Sequence, residues 1–145
     1  DESENNITGL FFANRMATFF PELKDQIQQE KEQYEEFRAI KFSREFILPQ
    51  ISNFINSEKN TSKINKFGKT LSELYQNSGL SVKSIITMVI LNGLSEENGN
   101  KLKQCLSDEL QKSWEAAKKY KGKKVKPEKP KKKNSLLSKA LAAQQ

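Results

Sequence analysis

Four places in this chain carry residue types that could do chemistry: the carboxylates Glu30, Glu32, Glu35 and Glu36; the triplet Gly68-Lys69-Thr70; the lone thiol of Cys105; and a dense series of lysines beyond Ala116. Each implies a different activity. Glu32 and Glu36 stand four apart, a spacing that puts two carboxylates on one face of a helix, where a metal or a proton-transfer pair would need them. The sequence has no His to complete such a site and no second acidic helix motif, so the stretch reads as a solvated acidic flank. The missing imidazole also removes the Ser-His-Asp and Cys-His arrangements and the histidine zinc sites. Gly68-Lys69-Thr70 looks like the end of a phosphate-binding loop, but Lys63 stands where the earlier glycine is required. The stretch also reads as continuous helix, which hides the backbone N–H groups that would cradle a phosphate. Cys105, beside Leu102 and Leu106 on an apolar stripe, is expected to be a buried structural thiol, and a single Cys excludes an internal disulfide framework. No catalytic, cofactor-binding or metal-ligating residue is assigned, and the chain is not expected to be an enzyme.

The lysines are the distinctive feature. From Ala116 to Gln145 there are eleven Lys against the single Glu128, whereas Asp1 to Glu115 holds fourteen Lys+Arg against seventeen Asp+Glu. The formal +7 is therefore −3 in the body and +10 in the tail. Like charges repel and gain little by collapsing onto an apolar core, so this tail is expected to be a flexible arm attracted to an anionic surface. Its candidate partner-binding residues are Lys118, Lys119, Lys121, Lys123, Lys124, Lys126, Lys129, Lys131, Lys132 and Lys133. Lys without Arg, with Tyr120 the only aromatic, suits diffuse phosphate attraction better than base recognition or stacking. Lys118-Lys119 and Lys131-Lys132-Lys133 also fit a bipartite nuclear-import spacing.

The elements that position these groups read as helices throughout. Thr8 can cap a first helix bearing Leu10, Phe11, Met16 and Phe19. Pro21 then opens a long amphipathic helix in which Leu23, Ile27, Tyr34, Phe37 and Ile40 recur near the helical period. Ser43 begins a third with Phe46, Ile47, Ile51, Phe54 and Ile55, which Pro49 must either open or kink. A helix from Thr61 or Ser62 carries Ile64, Phe67, Leu71, Leu74 and Tyr75, with Gly79 as its left-handed exit. Ser81 is expected to cap the most apolar helix, Val82 to Leu91, whose lack of a polar face marks it as central. After a polar turn from Ser95 to Asn100, Leu102, Cys105 and Leu106 form a short helix, and Ser107 with Asp108 and Glu109 starts the last one, through Trp114 and Ala117. The expected fold is all-α: an irregular antiparallel helical bundle over residues 1–120, followed by a Lys/Pro-rich arm over 121–145 that ends in a short helix-prone segment, 135–143.

Phe20-Pro21-Glu22-Leu23-Lys24, the Leu74-Tyr75 helix, the apolar stretch from Ile85 to Leu94 and the Leu102 to Leu110 segment together resemble a small, uncharacterised bacterial all-helical family grouped with toxin-immunity proteins. The resemblance covers the body and not the tail. It implies a non-catalytic protein that works by occupying a partner's surface. The expectation is thus a non-enzymatic α-helical protein-interaction module whose basic arm contacts an anionic surface, with another protein as partner. The alternative is a nucleic-acid- or ribonucleoprotein-associated protein that binds phosphates through the arm. No apolar run reaches the roughly 18 residues that span a bilayer, and the acidic opening is unlike a secretory signal. An intracellular, cytoplasmic location is expected, nuclear if the source is eukaryotic.

Overall fold

The computed structural model describes residues 7–133. Thr8 opens the first helix, its hydroxyl accepting the Phe11 N–H at 3.1 Å, and the described residues form seven α-helical elements in all. They are α1 (Gly9–Phe19), α2 (Leu23–Gln33), α3 (39–57), α4 (Thr61–Gln76), α5 (80–91), α6 (Glu96–Lys103) and α7 (Asp108–Ala117). The fold is all-α, as the periodicity predicts. Side-chain caps at Asn60, Ser95 and Ser107 satisfy otherwise orphaned N–H groups at the starts of α4, α6 and α7.

The core forms where these apolar faces meet. Phe12, Met16, Leu23, Phe42, Ile47, Ile51, Ile55, Phe67, Leu71, Ile86, Ile90 and Leu91 are all fully buried. Phe19, Phe20, Phe54 and Phe67 gather edge to face, with centroid separations of 5.2 Å for Phe19–Phe67 and 5.6 Å for Phe54–Phe67, and tie α1, α3 and α4 together. Such pairs contribute about 0.5–1.5 kcal/mol each beyond area burial. Helix α5 runs through the middle as its composition predicts, with every residue from Ile85 to Leu91 except Met88 buried.

Several local expectations are corrected. The long second helix stops at Gln33, because the Glu30 side chain turns inward and binds Arg38 instead of solvent. Tyr34 adopts an extended backbone (φ −127°, ψ 146°), and the chain re-enters a helix at Ala39, which returns Phe37 and Ile40 to the core side and preserves the apparent period across the break. Pro49, by contrast, sits where expected: it lies in the first turn of the regular α-helical part of α3, Leu48–Ser57. The turn before it, Ser43–Ile47, widens to i→i+5 hydrogen bonding, with the Leu48 N–H reaching the Ser43 carbonyl, and so accommodates a ring that would otherwise strike the carbonyl four residues back. A second widened turn, Ile85–Leu91, packs against the first.

Gly79 is not a left-handed exit: at φ −80° and ψ −177° it is the extended residue before α5, a place assigned by sequence to Ser81. The polar stretch expected as a turn is helical from Glu96 onward, with Ser95 as its extended cap. Glu96 and Glu97 in the first turn of α6, with Lys101 and Lys103 in the last, complement the helix dipole, and Gly99 lets the ring of Trp114 lie against its backbone.

Candidate partner interface

Beyond α7 the chain makes a 3₁₀ turn, Lys118–Tyr120, and bends at Gly122, whose φ of +88° is the only positive value among the described residues. A side chain there would be strained, so the bend needs glycine. The next eleven residues do not leave the body. They cross it as a strap, held at successive points. The guanidinium of Arg44 donates to the Val125 carbonyl, and the Val125 side chain packs against the core. The Glu128 carboxylate accepts the Ile40 N–H at 2.8 Å and the Lys41 N–H at 3.1 Å, supplying a cap to α3 that no residue near its start provides. Finally the Glu35 N–H donates to the Lys131 carbonyl at 2.9 Å and the Lys133 N–H to the Gln33 carbonyl at 2.8 Å, an antiparallel bridge between Tyr34 and Lys132. The Lys131 ammonium adds an ion pair to Glu35 at 3.1 Å.

The anchors obey a simple spacing. Val125, Glu128 and Lys131 are three apart, and Pro127 and Pro130 restrict both themselves and the lysines before them to extended or polyproline conformations. A polyproline helix has three residues per turn, so one side of it carries all three anchors. Val125 and Glu128 are half-buried, while all ten candidate lysines are exposed. Lys118 pairs with Glu115 and Lys131 with Glu35; among the described residues the other eight have no carboxylate within ion-pair distance. The Lys119 and Lys123 ammonium groups lie over the Tyr120 ring, at 5.1 and 5.9 Å from its centroid. The ten lysines are therefore an exposed array, of which those past Gly122 lie on a stretch held to the body at Val125, Glu128, Lys131 and Lys133.

Behind the strap lies the buried pair that shapes its landing site. Arg38 donates from its backbone N–H (3.2 Å), Nε (2.8 Å) and Nη2 (2.9 Å) to the Glu30 carboxylate, and its guanidinium stacks 3.7 Å from the Tyr34 ring centroid. Hydrogen bonding to Glu30 raises the Arg38 pKa further, against an opposing effect of burial. Glu30 is thus structural and not part of a solvated flank. Glu32 ends in α2 and Glu36 lies past the break, so the two do not share a helical face.

The ten lysines singled out by the sequence are all exposed, while the residues that hold the strap are not among those it singles out. Val125, Glu128 and Arg44 were missed, and the three-residue spacing of Val, Glu and Lys around two prolines was the available signal. The helix-prone segment 135–143 lies outside the described residues. Cys105 is corrected: it is half-exposed, its thiol donating to Asn65 Oδ1 at 2.8 Å, between two clefts of ≈ 370 and ≈ 420 Å³ that both include Asn65. Partial burial pushes its pKa up, which favours the unreactive thiol over the thiolate. Gly68 packs directly against Cys105 from inside α4, consistent with helix and not with a phosphate loop.

A family described as a domain of unknown function, DUF7674, matches residues 13–122. The chain belongs to this family. The matched stretch ends at the glycine bend, so the DUF7674 domain comprises the helices from within α1 onward while the anchors at Val125, Glu128 and Lys131 lie past the match. No curated protein and no solved structure matches the chain. No helix among the described residues is long and apolar enough to cross a membrane.

Proposed function

We propose that this DUF7674 protein is a non-enzymatic helical interaction module whose basic strap engages an acidic surface of another protein. The observation that carries the reading is the anchored array: the strap's inward side is used to hold the body, and its lysines are left outside on a backbone already fixed at four places. Pre-fixing a recognition segment lowers the ordering entropy lost on binding, so lysines that would contribute weakly on a loose tail act together here. Charge placement favours a protein surface over nucleic acid. The array's distal end lies beside Glu35, which is exposed and paired to Lys131; a patterned protein surface can match this mixture, whereas a continuous polyphosphate would meet repulsion there. Occupation of a partner's surface is also what the resemblance to proteins grouped with toxin immunity implies.

The test is capture of partners by the full chain, compared with a full chain carrying Gln at Lys123, Lys124, Lys126, Lys129 and Lys132, positions that make no ion pair to the body. The expected result is a partner retained by the first and lost by the second, with unchanged circular dichroism. In parallel, affinity for duplex DNA and RNA is measured across salt. A slope of log affinity against log salt corresponding to several contacts, at about 0.7–0.9 per phosphate, with no protein partner retained, would replace this reading by the nucleic-acid one.

A further inference from the structure

Going beyond that reading, which concerns the outward face of the strap, we infer that the surface beneath it is a receptor groove for an extended, proline-rich peptide segment of another protein. In this chain the groove is occupied in cis by the strap itself. Three features of the body define it. The first is an extended edge at Gln33–Glu35, which offers one carbonyl and one N–H to an antiparallel strand. The second is the pair of free amides at Ile40 and Lys41, which take a carboxylate. The third is Arg44, which takes a backbone carbonyl. Recognition through main-chain pairing, with pockets for side chains at a fixed spacing, is how sheet-edge and polyproline receptors work. The buried Glu30–Arg38 pair keeps the edge extended.

The strap satisfies these groups but does not fill the space beside them. A groove of ≈ 640 Å³ remains next to Glu128, its apolar wall formed by Leu10, Phe37, Ala39, Ile40 and Ile85 and its polar lining by Thr8, Glu36 and Ser81. The strap sends only a carboxylate to this space, so a segment with the same carboxylate and a bulky apolar neighbour against the apolar wall buries more surface than the resident does. The occupant that fits is therefore an extended segment with two prolines, a Glu between them, a Lys three residues later that can meet Glu35, and an apolar side chain adjoining the Glu.

Fluorescence anisotropy on full-length protein tests this, with a labelled peptide of the sequence of residues 123–133 as the probe. Wild-type protein, with its own strap in place, is expected to bind the probe weakly. Full-length Glu128→Ala, whose strap has lost its cap contact, is expected to bind it at least tenfold more tightly. A probe with Gln for its Glu should lose that gain, and a permuted probe of equal composition and charge should bind both proteins equally weakly. At least one of two probes, with Leu at the position of Lys126 or of Lys129, should bind several-fold more tightly than the native sequence. Full-length Val125→Ala, altered only in the strap, repeats the comparison should Glu128→Ala not fold. Equal binding of native and permuted probes would overturn the groove and leave charge attraction alone. So would self-association of either variant without probe binding, which would assign the site to strap exchange between copies. Gln substitution at Lys126, Lys129 and Lys132 of the protein should leave probe binding by Glu128→Ala unimpaired, which separates failure of this groove from failure of the outward array.

Discussion

Arg38 has about 7 % of its surface exposed and meets Glu30 through three hydrogen bonds, so its removal strands a carboxylate out of water. Breaking one partner of a buried pair costs about 3–5 kcal/mol, and Arg38→Ala is expected to lower the midpoint of chemical unfolding accordingly. Arg38→Lys should recover only part of the loss, since an ammonium cannot reproduce the forked contact or the stacking on Tyr34. A midpoint for Arg38→Ala equal to wild type would contradict this account of the break. At the surface, Glu115 receives Lys118 and Lys103, and those hydrogen bonds hold its carboxyl below the ordinary carboxylate range. A group with a depressed folded pKa contributes its stability above its unfolded pKa and loses it as pH falls through the folded one. NMR titration should therefore show Glu115 protonating at lower pH than in a Lys103→Ala, Lys118→Ala protein.

Among the elements, α5 best shows what a sequence exposes and what it hides. Its run of apolar residues announces a central helix, and Ile86 is fully buried within it. Ile86→Asp places an unpaired charge there at a cost of several kcal/mol, against the roughly 5–15 kcal/mol that holds a domain together. Loss of cooperative melting in that variant is the expected result, and a wild-type melting temperature would remove α5 from the centre. What composition does not disclose is hydrogen-bond phase. The widened turns at Ser43–Ile47 and Ile85–Leu91 use the same residue types as ordinary helix, and only their mutual packing and Pro49 distinguish them. The break at Tyr34 is hidden for a related reason: Glu30 sits at a position whose neighbours are exposed acids, and its partner Arg38 lies across a turn that periodicity passes over. Caps at Thr8 and Ser107 are legible because a side chain there bonds three residues ahead, a purely local event, whereas the cap at Asn60 falls one residue before the expected start.

For the whole molecule, local signals end at α7. The arm's charge and its punctuation by Gly and Pro are visible in the sequence; its return across α2 and α3 is not, because each contact joins residues more than eighty apart and rests on groups as ordinary as two backbone amides. A chain ending at Lys121 lacks the Glu128 cap, the Val125 contact and the backbone bridge. Three or four such interactions, at about 0.5–1.5 kcal/mol net each, predict a clear drop in melting temperature with the transition still cooperative and the helical circular dichroism retained. An unchanged melting temperature would show that the strap contributes nothing to the body it crosses.

The cap on α3 also has a history in time. Ile40 is made 88 residues before the glutamate that caps it. At translation rates of about 5–20 residues per second, that interval is on the order of 4–18 s. Throughout it, the nascent helix offers its first amides to water or to whatever carboxylate is near. The residues of all seven helices are therefore made before the carboxylate that caps α3. Closure must wait for Glu128.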